Sequence, residues 1–215
     1  MKKLFPLLLL IVTLASCQKA PDWGKLSNDL LVYTHYDQAF DFAQYNTFYL
    51  PDSVLLLDNS KEEAVYIDNN DPRARNIIEV LTNEMTRCGY TQVNNRNEAD
   101  LGLIATYIKR TSTYIDYNYP YWWYDFYYYW PLDYWDPYYN GWYPYYPYPA
   151  TYSYTTGTLA IEMIALKKAD NTAQKLPFVW TAYMAGIESS NQINIANSVA
   201  GIYQAFEQSP YIKAQ

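Results

Sequence analysis

A chain of 215 residues with a formal net charge of −7, half of it apolar, can bury a full core in one domain without disulfide staples. Its acidity disfavours nucleic acid and anionic lipid surfaces as partners, because both recruit basic patches. With two cysteines and one histidine, His35, it has little material for a His-rich zinc site or a Cys–His dyad.

At the N-terminus, Lys2 and Lys3 precede an apolar run from Leu4 to Leu14, closed by Ala15, Ser16 and Cys17. Basic, apolar and small residues in that order are the layout of a secretory signal. The run is too short to span a bilayer as a stable helix. Because Leu14-Ala15-Ser16-Cys17 ends in Cys rather than in an A-x-A cut site, it resembles the lipobox of bacterial lipoproteins. In those proteins the thiol takes a diacylglycerol, the signal is cut before the Cys, and the new amine is acylated, commonly with palmitate. The resemblance implies a signal peptide at residues 1–16, a lipidated Cys17 and a tether reaching residue 27. The covalent lipid is the one non-protein group expected. Loss of Lys2 and Lys3 takes the formal charge from −7 to −9. Extended, residues 18–27 reach roughly 35 Å from the membrane. By analogy with enteric bacteria, Gln18 in place of Asp leans the expectation to the outer membrane, facing the periplasm. Cys88 would be the remaining thiol, without a disulfide partner in its own chain, and sits in a helical pattern as a small hydrophobe.

The domain, residues 28–215, opens with a strand at Leu30–Tyr36 and a second at Asn46–Leu50, ended by Pro51. Residues 52–70 show no clear period and are expected as a loop. A helix starts at Asp71 as N-cap with Pro72 first in the helix, carries Ala74, Ile77, Ile78, Leu81, Met85 and Cys88 on one face, and stops at Gly89. A short piece at Tyr90–Val93 and a turn at Asn94–Asn97 follow. Leu101–Tyr107 is apolar on both faces, as a central strand continuing toward Tyr114 would be. Thr158–Leu166 and Phe178–Ile187 alternate as a hairpin pair joined by KKADNTAQK. A last helix runs from Asn194 to Gln208, with Pro210 stopping it. These elements predict an α+β, two-layer fold: one antiparallel or mixed sheet with two main helices on one face.

The opening YDQAFDFAQYNTFYLPD (Tyr36–Asp52), the helix closing in CGY, the acidic NEADLGLIATY (Asn97–Tyr107) and the paired strands GTLAIEMIALKKADNTAQKLPFVWTAYMAGI (Gly157–Ile187) carry a family resemblance. In this order they resemble the bacterial lipoprotein domain catalogued as domain of unknown function 4136. The similarity covers residues 30–212, although the hairpin connection is longer here and lacks the usual tight Gly turn. It implies an envelope lipoprotein with an α+β domain and no established activity. Asp37, Asp41, Tyr45 and Trp180 match the motif, which assigns them no catalytic role.

Residues 117–154 stand apart, with 16 of the 27 Tyr, five of the seven Trp, and neither Lys nor Arg. Their prolines rule out a continuous helix or central strand. Their aromatic content is unlike that of a disordered linker. The segment reads as an excursion between two core strands. Four uses compete: covering the domain's own sheet, stacking on sugar rings, contacting a protein or a second copy, and seating at a membrane interface. The lack of cations argues against the last. For a ligand, the candidate contacts are Trp122, Trp123, Tyr127, Trp130, Trp135, Trp142, Asp125, Asp133 and Asp136. A glycosidase needs two carboxyls at a set separation, and nothing fixes that between Asp133 and Asp136. Asp125, Asp133 and Asp136 also lack the loop spacing of a calcium site. The expectation is a non-catalytic cell-envelope lipoprotein binding glycan, peptidoglycan or an envelope protein, with a structural or assembly component as the alternative and a cell-wall glycan hydrolase as a remote one.

Overall fold

The two apolar faces of Leu101–Tyr107 call for a place in the middle of a sheet. The computed structural model, which describes residues 30–57, 65–108, 143–145, 157–168, 175–189 and 192–215, puts the strand there. In chain order the strands are β1 (Leu31–Tyr36), β2 (Thr47–Tyr49), β3 (Ser53–Leu57), β4 (Val65–Asp68), β5 (Thr91–Gln92), β6 (Leu101–Ile108), β7 (Tyr143–Tyr145), β8 (Thr158–Ala165), β9 (Lys175–Ala185), β10 (Glu188–Ser189) and β11 (Gln192–Ile193). The helices are α1 (Pro72–Arg87) and α2 (Ile195–Glu207). The main sheet runs β1-β9-β8-β6-β2-β5, and β10 and β11 form a separate small hairpin. β8 is antiparallel to both β6 and β9, and β1 is antiparallel to β9.

The segment 52–70, expected as a loop, instead holds β3 and β4 paired antiparallel from Ser53–Asp68 to Leu56–Val65. The apolar run SVLLL gave no period because β3 is buried on both sides: Val54 is 1% and Leu55 2% exposed. β3 lies parallel to β6, Leu55 opposite Thr106, while β2 lies parallel to the start of the same strand. Pro51 falls between them, where its missing N–H takes no ladder bond away. A parallel return needs a crossover, and α1 supplies it. The sheet is therefore mixed, with both helices on one face, as the sequence pattern predicts.

Asp71 caps α1, its Oδ1 accepting the Arg73 backbone N–H at 2.9 Å. The Arg73 side chain closes on the same carboxylate. That hydrogen bond and charge hold the Asp71 carboxyl at about 2, below its ordinary 3.8. Asp71→Ala is expected to lower stability by about 1 kcal/mol. A depressed carboxylate contributes above its unfolded value and loses that contribution as pH falls through its folded value. Unfolding followed by circular dichroism should therefore show the gap between parent and variant narrowing as pH falls from about 4 towards 2. A gap of constant size would rule out the charged cap.

Gly89 ends α1 with φ +96°, in the left-handed region. Its site is closed by the C-terminal tail: the Ala214 N–H donates to the Cys88 carbonyl at 2.9 Å. α2 lies close on β9, where a Cβ added at Gly201 would come within 3.0 Å of Met184 Cγ and Sδ.

Candidate functional site

The candidate contacts Trp122, Trp123, Tyr127, Trp130, Trp135, Trp142, Asp125, Asp133 and Asp136, like Cys17, lie outside the described residues. What the structure does give is how the aromatic stretch is rooted. β6 and β8 pair in register to their ends, Ile108 opposite Thr158. The Gly157 N–H donates to the Ile108 carbonyl at 3.0 Å, and Gly157 has φ +81° at the point where the chain re-enters the sheet. Strands so registered can be joined by a two-residue turn. Here residues 109–156 stand between them. Part-way along, β7 pairs parallel with the start of β9, Tyr143 opposite Lys175 and Tyr145 opposite Pro177.

The motif residues build one end of the fold. Asp37 Oδ1 accepts the Ala39 N–H at 2.9 Å, while its own N–H donates to the Val179 carbonyl. Asp41 caps a short 3-10 helix at Phe42–Gln44 through the Ala43 N–H and the Gln44 amide. Phe40 stacks on Tyr45 with ring centroids 4.7 Å apart, and the Lys168 ammonium lies 4.8 Å from the Phe40 centroid. Tyr90, buried, donates its hydroxyl to the Phe42 carbonyl at 3.1 Å. Burial pushes that hydroxyl's pKa up, so it stays a donor. Trp180, wholly buried, donates Nε1–H to Ser209 Oγ at 2.9 Å, and the Tyr211 hydroxyl meets the same oxygen at 3.1 Å. Tyr36 stacks on Tyr211 at 3.7 Å. Asp37, Asp41, Tyr45 and Trp180 are thus occupied in turns, caps and packing.

A second polar cluster went unseen in the sequence. Asp100 Oδ2 accepts the backbone N–H groups of Asn46 (2.8 Å) and Thr47 (3.2 Å), and Oδ1 accepts the Lys167 ammonium at 2.8 Å. Burial raises the Asp100 carboxyl, but Lys167 and the two amides outweigh it and hold the group below its usual value. The signal was available: Asp100 is the acid immediately before the central strand, where an unpartnered charge is disfavoured. Glu162 was also missed, a single acid in the apolar strand β8 and 1% exposed.

Burial bears on both the Cys88 thiol and the His35 imidazole. Burial raises the Cys88 thiol above its ordinary range, away from thiolate character. His35, half-buried on β1, stacks on Tyr33 at 6.3 Å, and burial lowers its pKa, so it is neutral at pH 7. Among the described residues no three His, Cys, Asp or Glu come together as a metal site. Among them, too, no helix is long and apolar enough to cross a membrane.

Residues 32–211 match the family model described as a domain of unknown function, DUF4136. The chain is similar to the crystal structure of a DUF4136 family protein from Bacteroides thetaiotaomicron VPI-5482, at 35% identity and a TM-score of 0.72, covering 86% of this chain and 97% of that one. Two dodecamer structures of PelC from Paraburkholderia phytofirmans align at 10% and 9% identity, each with a TM-score of 0.39, covering 87% of this chain and all of theirs. No curated protein matches.

Proposed function

The chain belongs to the DUF4136 family, whose function is unknown, and on that premise we propose that it is a non-catalytic, lipid-anchored protein of the cell envelope that binds glycan or an envelope protein through its aromatic segment. One observation carries the reading: residues 109–156 are inserted between two strands whose register needs only a tight turn. Loops of that length inside a compact domain are commonly functional. The aromatic composition says what the function would be. Flat Tyr and Trp faces suit sugar rings, and Asp125, Asp133 and Asp136 would accept hydroxyl hydrogen bonds.

The anchor restricts the partner. Acyl burial contributes about 0.8 kcal/mol per CH₂, so several chains on Cys17 hold the protein lastingly at the membrane. The segment then meets partners of the envelope, within a tether's length of the bilayer. Outer membrane and a periplasmic orientation are the reading that Gln18 favours.

Two measurements test this. Mass spectrometry of the membrane fraction should find diacylglycerol on Cys17, and Cys17→Ser should leave the protein unprocessed and unlipidated. The Cys17→Ser chain is then titrated with peptidoglycan fragments and polysaccharides, following Trp emission. A saturable change that vanishes when residues 118–150 are shortened supports glycan binding. A flat response across the panel sinks it. Turnover of any glycan, abolished by Asp133→Ala, would sink the non-catalytic reading instead.

A further inference from the structure

Residues 208–215 form neither helix nor strand, yet they stay on the domain. Burial alternates along them: Ser209, Ile212 and Ala214 are 1%, 2% and 7% exposed, while Pro210, Lys213 and Gln215 face solvent. The inward residues meet different parts of the fold. Ser209 Oγ takes the Trp180 Nε1–H of β9 at 2.9 Å. The Tyr211 ring lies 3.7 Å from that of Tyr36, at the end of β1, and 5.5 Å from that of Phe42. Ala214 donates its N–H to the Cys88 carbonyl, and a Cβ on Gly89 would come within 3.3 Å of the Ala214 Cβ. Residues 211–215 thus cross from the end of the first strand to the end of α1.

The stretch on either side of Pro210 is held differently. Trp180 is wholly buried, so releasing Ser209 would leave the indole N–H without its acceptor, at the full cost of desolvation. Beyond Pro210 that cost does not arise. Gly89 is exposed and Cys88 half-buried, so the carbonyl bound by Ala214 meets water once Ala214 leaves. Pro210, exposed and without an N–H of its own, separates the two parts. Among the described residues the backbone beyond it bonds at two points: Ile212 N–H to the Ser209 carbonyl at 3.0 Å, and Ala214 N–H to Cys88 at 2.9 Å. Strand β8, by contrast, is buried along its whole length and laddered on both edges. Local opening starts where backbone bonds are few and close to solvent. The surface beneath Tyr211 is preformed. Phe40 holds the Phe42 ring edge-on at 4.8 Å, and the Tyr90 hydroxyl donates to the Phe42 carbonyl.

We infer that residues 211–215 form a strap, hinged at Pro210, that opens as one unit while the sheet, α2 and Ser209 stay in place. Opening lifts Tyr211 off Tyr36 and Phe42 and bares an aromatic surface at the motif end of the fold. Closing seals that surface and returns Ile212 and Ala214 to the core. Access to the two rings is then set by the strap and not by unfolding of the domain. This inference goes beyond the binding reading and stands whether or not a glycan binds.

The test is native-state hydrogen exchange of the full chain, extracted in mild detergent and read by NMR. After correction for intrinsic rates, the Ile212 and Ala214 amides should exchange at one shared rate, about 100-fold or more faster than the Ile161 and Met163 amides of β8. The Trp180 indole N–H should stay with the slow group. Tyr211→Ala should speed Ile212 and Ala214 by about tenfold and leave β8 and the Trp180 indole unchanged. Strap amides as slow as those of β8 would overturn the inference, since the segment would then open only with the whole domain. Rates graded from Gln215 inward would mean fraying without a unit, and an indole as fast as Ala214 would remove the hinge from Pro210. If Tyr211→Ala fails to fold, the rates of the unsubstituted chain decide by the same outcomes.

Discussion

Trp180→Ala is expected to lower the unfolding free energy by about 3–5 kcal/mol, the range for emptying a large buried aromatic site. For a domain of this size that is a fall in Tm of roughly 6–20 °C. The side chain is wholly buried, its ring lies 5.4 Å from Phe206 of α2, and its N–H reaches Ser209 beyond the helix end. The substitution therefore opens a cavity between β9 and α2 and frees Ser209 Oγ, which also orders Tyr211. Ser209→Ala leaves the packing and removes only the acceptor, so it should cost about 1–3 kcal/mol. Thermal unfolding of the three proteins gives the comparison. Equal losses in both variants would mean that the hydrogen bond, not the ring, carries the site.

Asp100→Ala should come next, at about 2–4 kcal/mol, because two part-buried backbone N–H groups of Asn46 and Thr47 lose their acceptor. Lys167→Ala should cost far less than Asp100→Ala, since its side chain is 64% exposed and the ion pair is screened by solvent. The ordering of the two decides whether the amides or the charge pair matters more. Because the Asp100 carboxyl is held below its ordinary 3.8, its contribution is complete above that pH and is lost as pH falls below it. Chemical denaturation between pH 3 and 7 should show the parent losing this increment on acidification, while Asp100→Ala has none to lose. Parallel curves would contradict the assignment.

Most of the fold was legible because its elements carry strong local signals. Asp71, Pro72 and Gly89 bracket α1 in the sequence as they do in space, and Asn194 caps α2 as its position suggests. β6 declared itself central through two apolar faces. β3 did not, because a strand buried on both sides loses its alternation, and β4 did not, because its four residues are too few to show a period. β9 starts at Lys175 rather than Phe178 because pairing with β7 lengthens it, a tertiary effect invisible to local pattern. The motif acids were legible as types but not as roles. Asp37 and Asp41 carry no role in the sequence pattern, and their bonds to Ala39, Ala43 and Gln44 place them in turns. The Asp100 clasp joins residues more than fifty positions apart, a separation no spacing rule spans.

The pairing of β1 with β9 has a consequence for how the chain is made. Leu31 waits for Ala185, so the first strand of the domain has no ladder until most of the chain has emerged. Long-range closure of this kind slows folding, because the entropy of a large loop is lost before its contacts form. A chain that keeps its first strand unpaired also remains threadable for longer. The first strand of the domain is then among the last to lock.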